Sequence, residues 1–147
     1  MKILFVCHGN ICRSPMAEFI MKDLTKDLNY EIISRATSYE EIGNDLYYET
    51  KNILNKYHIP YTRHFATRIT KEEYSEYDYI IVMDDNNLYN LKRIVGHIDV
   101  NKVFKLNYFN GNLNDVEDPW YTRNFEKCYS EIKNGCIKLL KYINKDI

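Results

Sequence analysis

The sequence predicts one α/β domain built on a four-stranded parallel sheet with helices on both faces. Three observations carry that expectation. Four short apolar runs, at residues 3–7, 30–36, 79–83 and 102–106, have the length of strands and fall far below the ~20 residues of a membrane span. Segments with three- and four-residue apolar spacing lie between them, and strands alternating with helices form parallel sheets covered on both sides. No repeat, linker or block of like charge divides the chain, so residues 1–147 are expected to form a single domain.

The elements follow in order. Ile3-Leu4-Phe5-Val6 is apolar without alternation, which suits a central strand buried on both faces, and it ends at Cys7. From Pro15 the pattern turns helical, with Met16, Phe19, Ile20, Leu24 and Leu28 on one stripe, while Ser14 and Pro15 suit the N-cap and first helical position. Tyr30 to Ala36 alternates weakly as a second strand. Asp45 to Tyr57 is expected to be helical with Leu46, Ile53, Leu54 and Tyr57 inward, closed by Ile59-Pro60. Thr70-Lys71-Glu72-Glu73 matches a capping box ahead of the buried strand Tyr79 to Met83. Asn86 to Val95 is helical with Gly96 at its stop, and Lys102 to Leu106 is the fourth strand. After a turn-rich stretch to Pro119, the last helix carries Phe125, Cys128, Tyr129, Ile132, Cys136, Leu139, Leu140 and Ile143 at helical spacing.

Composition narrows the function. Aromatic residues make up 14% of the chain, far more burial potential than a disordered segment carries. With 20 basic and 21 acidic side chains there is no long-range pull toward nucleic acid or an anionic membrane, so recognition of phosphate must be local. The strand pattern starts within three residues of Met1, leaving no room for a signal peptide, and a cytoplasmic location is expected. Cys7, Cys12, Cys128 and Cys136 are then reduced thiols, not a disulfide framework. A Cys-x4-Cys pair without clustered histidines lacks tetrahedral ligands, so no metal and no cofactor are expected.

Ligands of parallel sheets collect at the carboxyl ends of strands, where Cys7 sits. The segment Cys7-His8-Gly9-Asn10-Ile11-Cys12-Arg13-Ser14 has a thiol and a guanidinium at the two ends of a loop that runs into a helix. Such a loop aims backbone N–H groups and the positive helix end at a tetrahedral dianion. Gly9 permits close approach of backbone. Arg13 can grip two phosphate oxygens through its planar fork, and the same positive field favours a thiolate nucleophile.

Val6-Cys7-x-Gly9-Asn10-x-Cys12-Arg13-Ser14-Pro15-x-Ala17-Glu18 resembles the signature of low-molecular-weight protein tyrosine phosphatases. The resemblance extends to Ala36-Thr37-Ser38 with Ile42-Gly43, His58-Ile59-Pro60, Tyr79 to Asp84 with Asn87-Leu88, and Asp118-Pro119, and so covers nearly the whole chain. It implies a Rossmann-like or flavodoxin-like sheet with a phosphate loop after the first strand, and metal-free hydrolysis of phosphotyrosine through a cysteinyl-phosphate. On that basis Cys7 attacks phosphorus, Arg13 and the loop N–H groups hold the equatorial oxygens, Asn10 fixes the loop shape and Ser14 donates to the Cys7 sulfur. The residues alone leave Asp115, Glu117 and Asp118 open as the acid for the leaving phenolate; the resemblance selects Asp118, and its Asp-Pro step restricts it to extended backbone. Trp120 and Tyr121 fall where the family carries aromatics beside the pocket. The implied partners are phosphotyrosine-containing proteins, with no nucleic acid and no membrane, and the enzyme is expected to be a monomer or weak homodimer.

Three positions depart from the family pattern. His8 stands where an apolar residue is common, either tuning the thiolate or lining the rim. Glu40 stands where many members place an aromatic wall, with Tyr39 beside it as the substitute. His64-Phe65-Ala66-Thr67-Arg68 displaces the family's arginine by one. Thioredoxin-coupled arsenate reductases share the loop but need cysteines in mid-chain, and none lies between Cys12 and Cys128. Arginine phosphatases tend to carry threonine where Ile11 stands, and Ile11 favours phosphotyrosine. A noncatalytic phosphate-binding or redox module would not need Asp118-Pro119. Cys128 and Cys136 fall on the apolar stripe and are expected in the core. Cys12, near Cys7 on one loop, is either a redox partner that captures an oxidised Cys7 or a small residue packed behind the loop.

Overall fold

The computed structural model describes residues 1–145, and the last two residues of the expected domain lie outside them. Strands β1 (Lys2–Cys7), β2 (Glu31–Ala36), β3 (Tyr79–Val82) and β4 (Val103–Lys105) form a parallel sheet in the order β2-β1-β3-β4. β1 is central because every one of its residues from Ile3 to Cys7 is buried, and an edge strand could not bury both faces. Ile3, Phe5 and Cys7 point to one face, where they pack with α1 (Arg13–Leu24), α2 (Tyr48–Lys56) and α7 (Phe125–Lys145). Leu4 and Val6 point to the other, toward α3 (Lys71–Glu76) and α4 (Asp85–Val95). Two short helices depart from expectation: α5 (Leu106–Phe109) starts where the fourth strand is expected to end and runs into the turn-rich stretch, and α6 (Pro119–Thr122) opens at Pro119 ahead of the last helix. At Gly135 a Cβ would sit 2.7 Å from the Leu106 side chain, so α5 and α7 approach each other only because that residue has none.

The capping box at Thr70 and Glu73 is formed, and Gly96 ends α4 with φ 89°. Several boundaries differ from expectation. α1 begins at Arg13 without a side-chain cap, because the Ser14 hydroxyl is engaged by Cys7 and Asn10 instead. It stops at Leu24, where Thr25 turns its N–H and hydroxyl back to Met21 O, so Leu28 is outside the stripe and exposed. α2 starts at Tyr48, not Asp45. The Asp45 carboxylate accepts from Leu46 N and His64 N and pairs with Lys51, tying the 61–68 segment down rather than entering the helix. Burial works against its charge, but Lys51 and those two N–H groups hold the carboxyl well below the usual carboxylate range. Tyr57 lies past the helix end, half-exposed and stacked on Tyr129 at 4.1 Å.

These contacts fix what lies at the carboxyl end of β1. Cys7 is in register with Ala36 of β2, Val6 with Val82 of β3, and Ala36 bridges on its outer side to Arg68. The β1–α1 loop is therefore hemmed by β2 and the 64–68 segment on one flank and by the β3–α4 turn on the other.

Candidate active site

Cys7 forms the floor of a cavity, only 3% exposed. Its sulfur receives Asn10 N at 3.3 Å and Ser14 N at 3.4 Å, with Ser14 Oγ at 2.9 Å. Asn10 adopts the left-handed conformation (φ 61°), which asparagine tolerates better than most residues and which turns the loop back on itself. Its amide is fully spent. Nδ2 donates to Ser14 Oγ (2.8 Å) and Ser34 Oγ (2.9 Å), while Oδ1 accepts from Thr67 N (3.1 Å). Ser14 Oγ thus already accepts one hydrogen bond, and against a thiolate its own proton can only be donated to the sulfur.

The chain of contacts continues inward. Ser34 donates to Glu18 Oε1 at 2.6 Å, and Lys22 neutralises Glu18 Oε2 at 2.6 Å. His64 is buried, and burial pushes its pKa down; as a neutral ring its Nε2–H donates to Asn10 O at 2.8 Å. Each bond of this kind contributes about 0.5–1.5 kcal/mol, whereas leaving a buried partner unsatisfied costs about 1–3 kcal/mol.

Arg13 is held as tightly. Nη1 pairs with Asp84 Oδ2 at 2.6 Å and donates to Val116 O at 2.8 Å, and Nη2 lies 3.6 Å from Asp118 Oδ2. Burial opposes its charge, but negative charge at Cys7, Asp84 and Asp118 outweighs that, and its pKa stands above the ordinary value. Asp84 is itself anchored as the N-cap of α4, its Oδ1 accepting from Asn87 N at 2.7 Å.

Of the three acidic candidates only Asp118 lines the cavity. It is extended (φ −72°, ψ 114°) and caps α6, Oδ1 accepting from Trp120 N at 3.0 Å. Asp115 pairs with Lys105 and Glu117 with Lys127, and neither lines the cavity of Cys7. Trp120 and Tyr121 form one side of the mouth, with Tyr47 packed edge-on against Trp120 at 4.9 Å. Glu40 and Glu41 also line the cavity, and His8 lies at the rim, its Nε2 2.9 Å from Glu40 Oε2.

Tyr39 does not take the wall position. Ser38 Oγ bonds His8 O and Glu40 N, which turns Glu40 toward His8 and leaves Tyr39 72% exposed against the Arg68 guanidinium at 4.3 Å. Arg68 in turn donates to Thr37 O, away from the cavity. Gly9 and Ile11 line the loop; a Cβ at Gly9 would make only ordinary contact with Glu41 Cγ at 3.4 Å, so nothing inside the protein demands glycine there. Cys12 is buried and lines the cavity beside Cys7, and burial pushes its thiol up to about 12. Cys128 and Cys136 are core residues with thiols raised by burial.

Four residues with roles here were not singled out as site residues by pattern alone: Asp84, Ser34, Glu18 and His64. Asp84 shows itself only as the start of a capping box, and Ser34 as a serine in the inward register of β2, between Ile32 and Ala36.

A buried thiol and a clamped guanidinium stand at the two ends of one strand-to-helix loop, with a carboxylate at the mouth, a set of groups suited to an anionic ligand. Comparison with known proteins places it: the family model for low molecular weight phosphotyrosine protein phosphatases matches residues 2–147, and the chain belongs to that family. A low molecular weight protein-tyrosine-phosphatase, PtpA of Staphylococcus aureus, is 41% identical over 148 residues, covering 98% of this chain and 94% of the relative. Among solved structures, SP-PTP, the low molecular weight protein tyrosine phosphatase from Streptococcus pyogenes, is 42% identical with a TM-score of 0.87, covering 96% of this chain and 91% of that one. YfkJ from Bacillus subtilis is 37% identical with a TM-score of 0.94, covering 99% and 96%. The chain is a protein tyrosine phosphatase.

Proposed function

We propose that residues 1–147 form one catalytic domain that hydrolyses phosphotyrosine in proteins through a cysteinyl-phosphate, without metal or cofactor, with Asp118 as general acid. The observation that carries this is the convergence of Asn10 N, Ser14 N and Ser14 Oγ on Cys7 Sγ beside an Arg13 fixed by Asp84. The Cys7 thiolate attacks phosphorus and the P–O bond to the phenol breaks, while Asp118 in its acid form gives its proton to the leaving oxygen. Asp118, now a carboxylate, takes a proton from water as the water attacks phosphorus. The S–P bond breaks, inorganic phosphate leaves, and the Ser14 hydroxyl stabilises the departing thiolate. Arg13 and the loop N–H groups supply the positive charge for the equatorial oxygens, the part a metal ion plays in other phosphatases.

The test is steady-state hydrolysis of phosphotyrosine, phosphoserine and phosphoarginine with a chelator present. Phosphotyrosine is expected to dominate; a preference for another ester or amide, or loss of turnover with chelator, would overturn the proposal. The near-balance of 20 basic and 21 acidic side chains gives no long-range attraction to nucleic acid or an anionic membrane, which supports action on phosphoproteins instead, and the enzyme is proposed to be cytoplasmic and monomeric or weakly dimeric. Among the described residues no helix is long and apolar enough to cross a membrane.

Cys12 is proposed as the redox partner. Peroxide converts the Cys7 thiolate to a sulfenic acid; Cys12 sulfur attacks it, forming an S–S bond and releasing water. Cys12 lines the same cavity as Cys7, which supports the pairing. After peroxide and dithiothreitol, wild type is expected to recover more activity than Cys12→Ser, and equal recovery would remove this role.

A further inference from the structure

From the contacts at the carboxyl end of β4, we propose that Lys105 is a positioning residue for the general acid: it clamps the 113–116 segment so that Asp118 stands at the mouth of the cavity. The inference rests on the assignment of Asp118 proposed above.

Lys105 is the last residue of β4, and its side chain is only 9% exposed. An ammonium has three N–H groups. Here each has its own acceptor: Leu113 O at 2.7 Å, Asp115 Oδ1 at 2.8 Å and Asp85 Oδ1 at 2.9 Å. Asp115 Oδ1 also accepts from Asp85 N at 3.1 Å, which binds the segment to the first residue of α4. One residue on, Val116 N donates to Met83 O at 2.9 Å and Val116 O receives Arg13 Nη1 at 2.8 Å. Asn107 adds a bond to Asn114 O at 3.0 Å.

The acid therefore stands two residues beyond Val116, on a stretch of chain fixed to Met83 just past β3, to α4 and to β4. Asp85 follows Asp84, which holds Arg13, so the same cluster ties the part of the site that binds phosphate to the part that protonates the leaving group. Stability does not explain the arrangement. The Asp85 side chain is 76% exposed and Asp115 46%, and ion pairs to exposed carboxylates contribute little. Burying an ammonium works against its charge, but hydrogen bonds and negative charge from Asp115 and Asp85 outweigh that and its pKa stands above the ordinary value. What the cluster secures is geometry, and small misplacements of a reacting group cost rate steeply.

The test compares kcat/KM for phenyl phosphate and 4-nitrophenyl phosphate, since that ratio reports the steps through departure of the phenol and only the poorer leaving group needs a proton. Lys105→Met keeps the stem and removes the donors. It is expected to lower kcat/KM about tenfold for phenyl phosphate, below the ~10²–10⁴-fold attributed to the acid itself, and less than about twofold for 4-nitrophenyl phosphate. Competitive inhibition by inorganic phosphate should stay unchanged. Equal losses on both substrates, or none, would overturn the clamp, because a merely structural lysine has no reason to distinguish leaving groups. If Lys105→Met does not fold, Asp115→Asn reads the same clamp from its other partner with the same two outcomes. Asp118→Asn is measured alongside: if it fails to discriminate, the acid assignment falls and the clamp with it, and if it discriminates while the clamp variants do not, the clamp alone falls.

Discussion

The floor and the rim of the cavity are built on opposite principles. Around Cys7, the side chains of Asn10, Ser14 and Ser34 are wholly buried, and each hydrogen bond found there runs to another element of the fold. At the mouth, Trp120, Tyr121 and Glu40 are exposed, and the His8–Glu40 pair faces water. The floor is fixed before any substrate arrives, as charge stabilisation in a transition state requires. The rim can change residue by residue without disturbing it, so Glu40 and Glu41 can line the mouth with no contact to the buried network beneath Cys7.

That contrast can be broken in order of effect. Cys7→Ser should abolish turnover while phosphate still competes in a binding assay, since Arg13 and the loop remain; measurable kcat in a clean preparation would end the role of Cys7. Asp118→Asn should lower kcat/KM by ~10²–10⁴ for poor leaving groups and far less for 4-nitrophenyl phosphate. The same pattern from Glu117→Gln with Asp118→Asn unaffected would reassign the acid. Asn10→Ala, at the centre of the floor, should cost about 1–3 kcal/mol in chemical denaturation, because Ser14, Ser34 and Thr67 lose a buried partner. It should also lower kcat more than it raises KM; a pure KM effect would mean that the network serves binding alone. At the rim, Glu40→Gln breaks only an exposed pair and should move KM for phosphopeptides by about fivefold or less with kcat unchanged. A fall in kcat there would erase the distinction between the two regions.

How far the sequence disclosed this depends on contiguity. The floor residues Cys7 to Ser14 are consecutive, so thiol, loop and guanidinium could be found together in one segment. The sheet was equally legible, because β1 and β3 have no polar alternation and admit only a buried, central placement. Asp84, Ser34, Glu18 and His64 reach the site from four other places, and each has a satisfactory local explanation as a cap, a strand residue, a helix residue or a loop residue. Tyr39 was misplaced because neighbouring residues on a loop differ by side-chain direction, which Ser38 decides through hydrogen bonds invisible in the chain order. The start of α1 was put at Pro15 for a similar reason: Ser14 has the chemistry of a cap, but the sulfur competes for its hydroxyl and wins.

The grip on Arg13 also sets when the enzyme can first work during its own synthesis. Cysteine and arginine leave the ribosome early, but Asp84, Val116 and Asp118, which orient that guanidinium, follow only after most of the chain has been made. The helix that closes the core over α1, bringing Cys136 against Ala17, follows later still. A nascent chain thus carries the proposed nucleophile long before it has the means to use it, and activity is expected to appear only once α7 has packed rather than to grow with length.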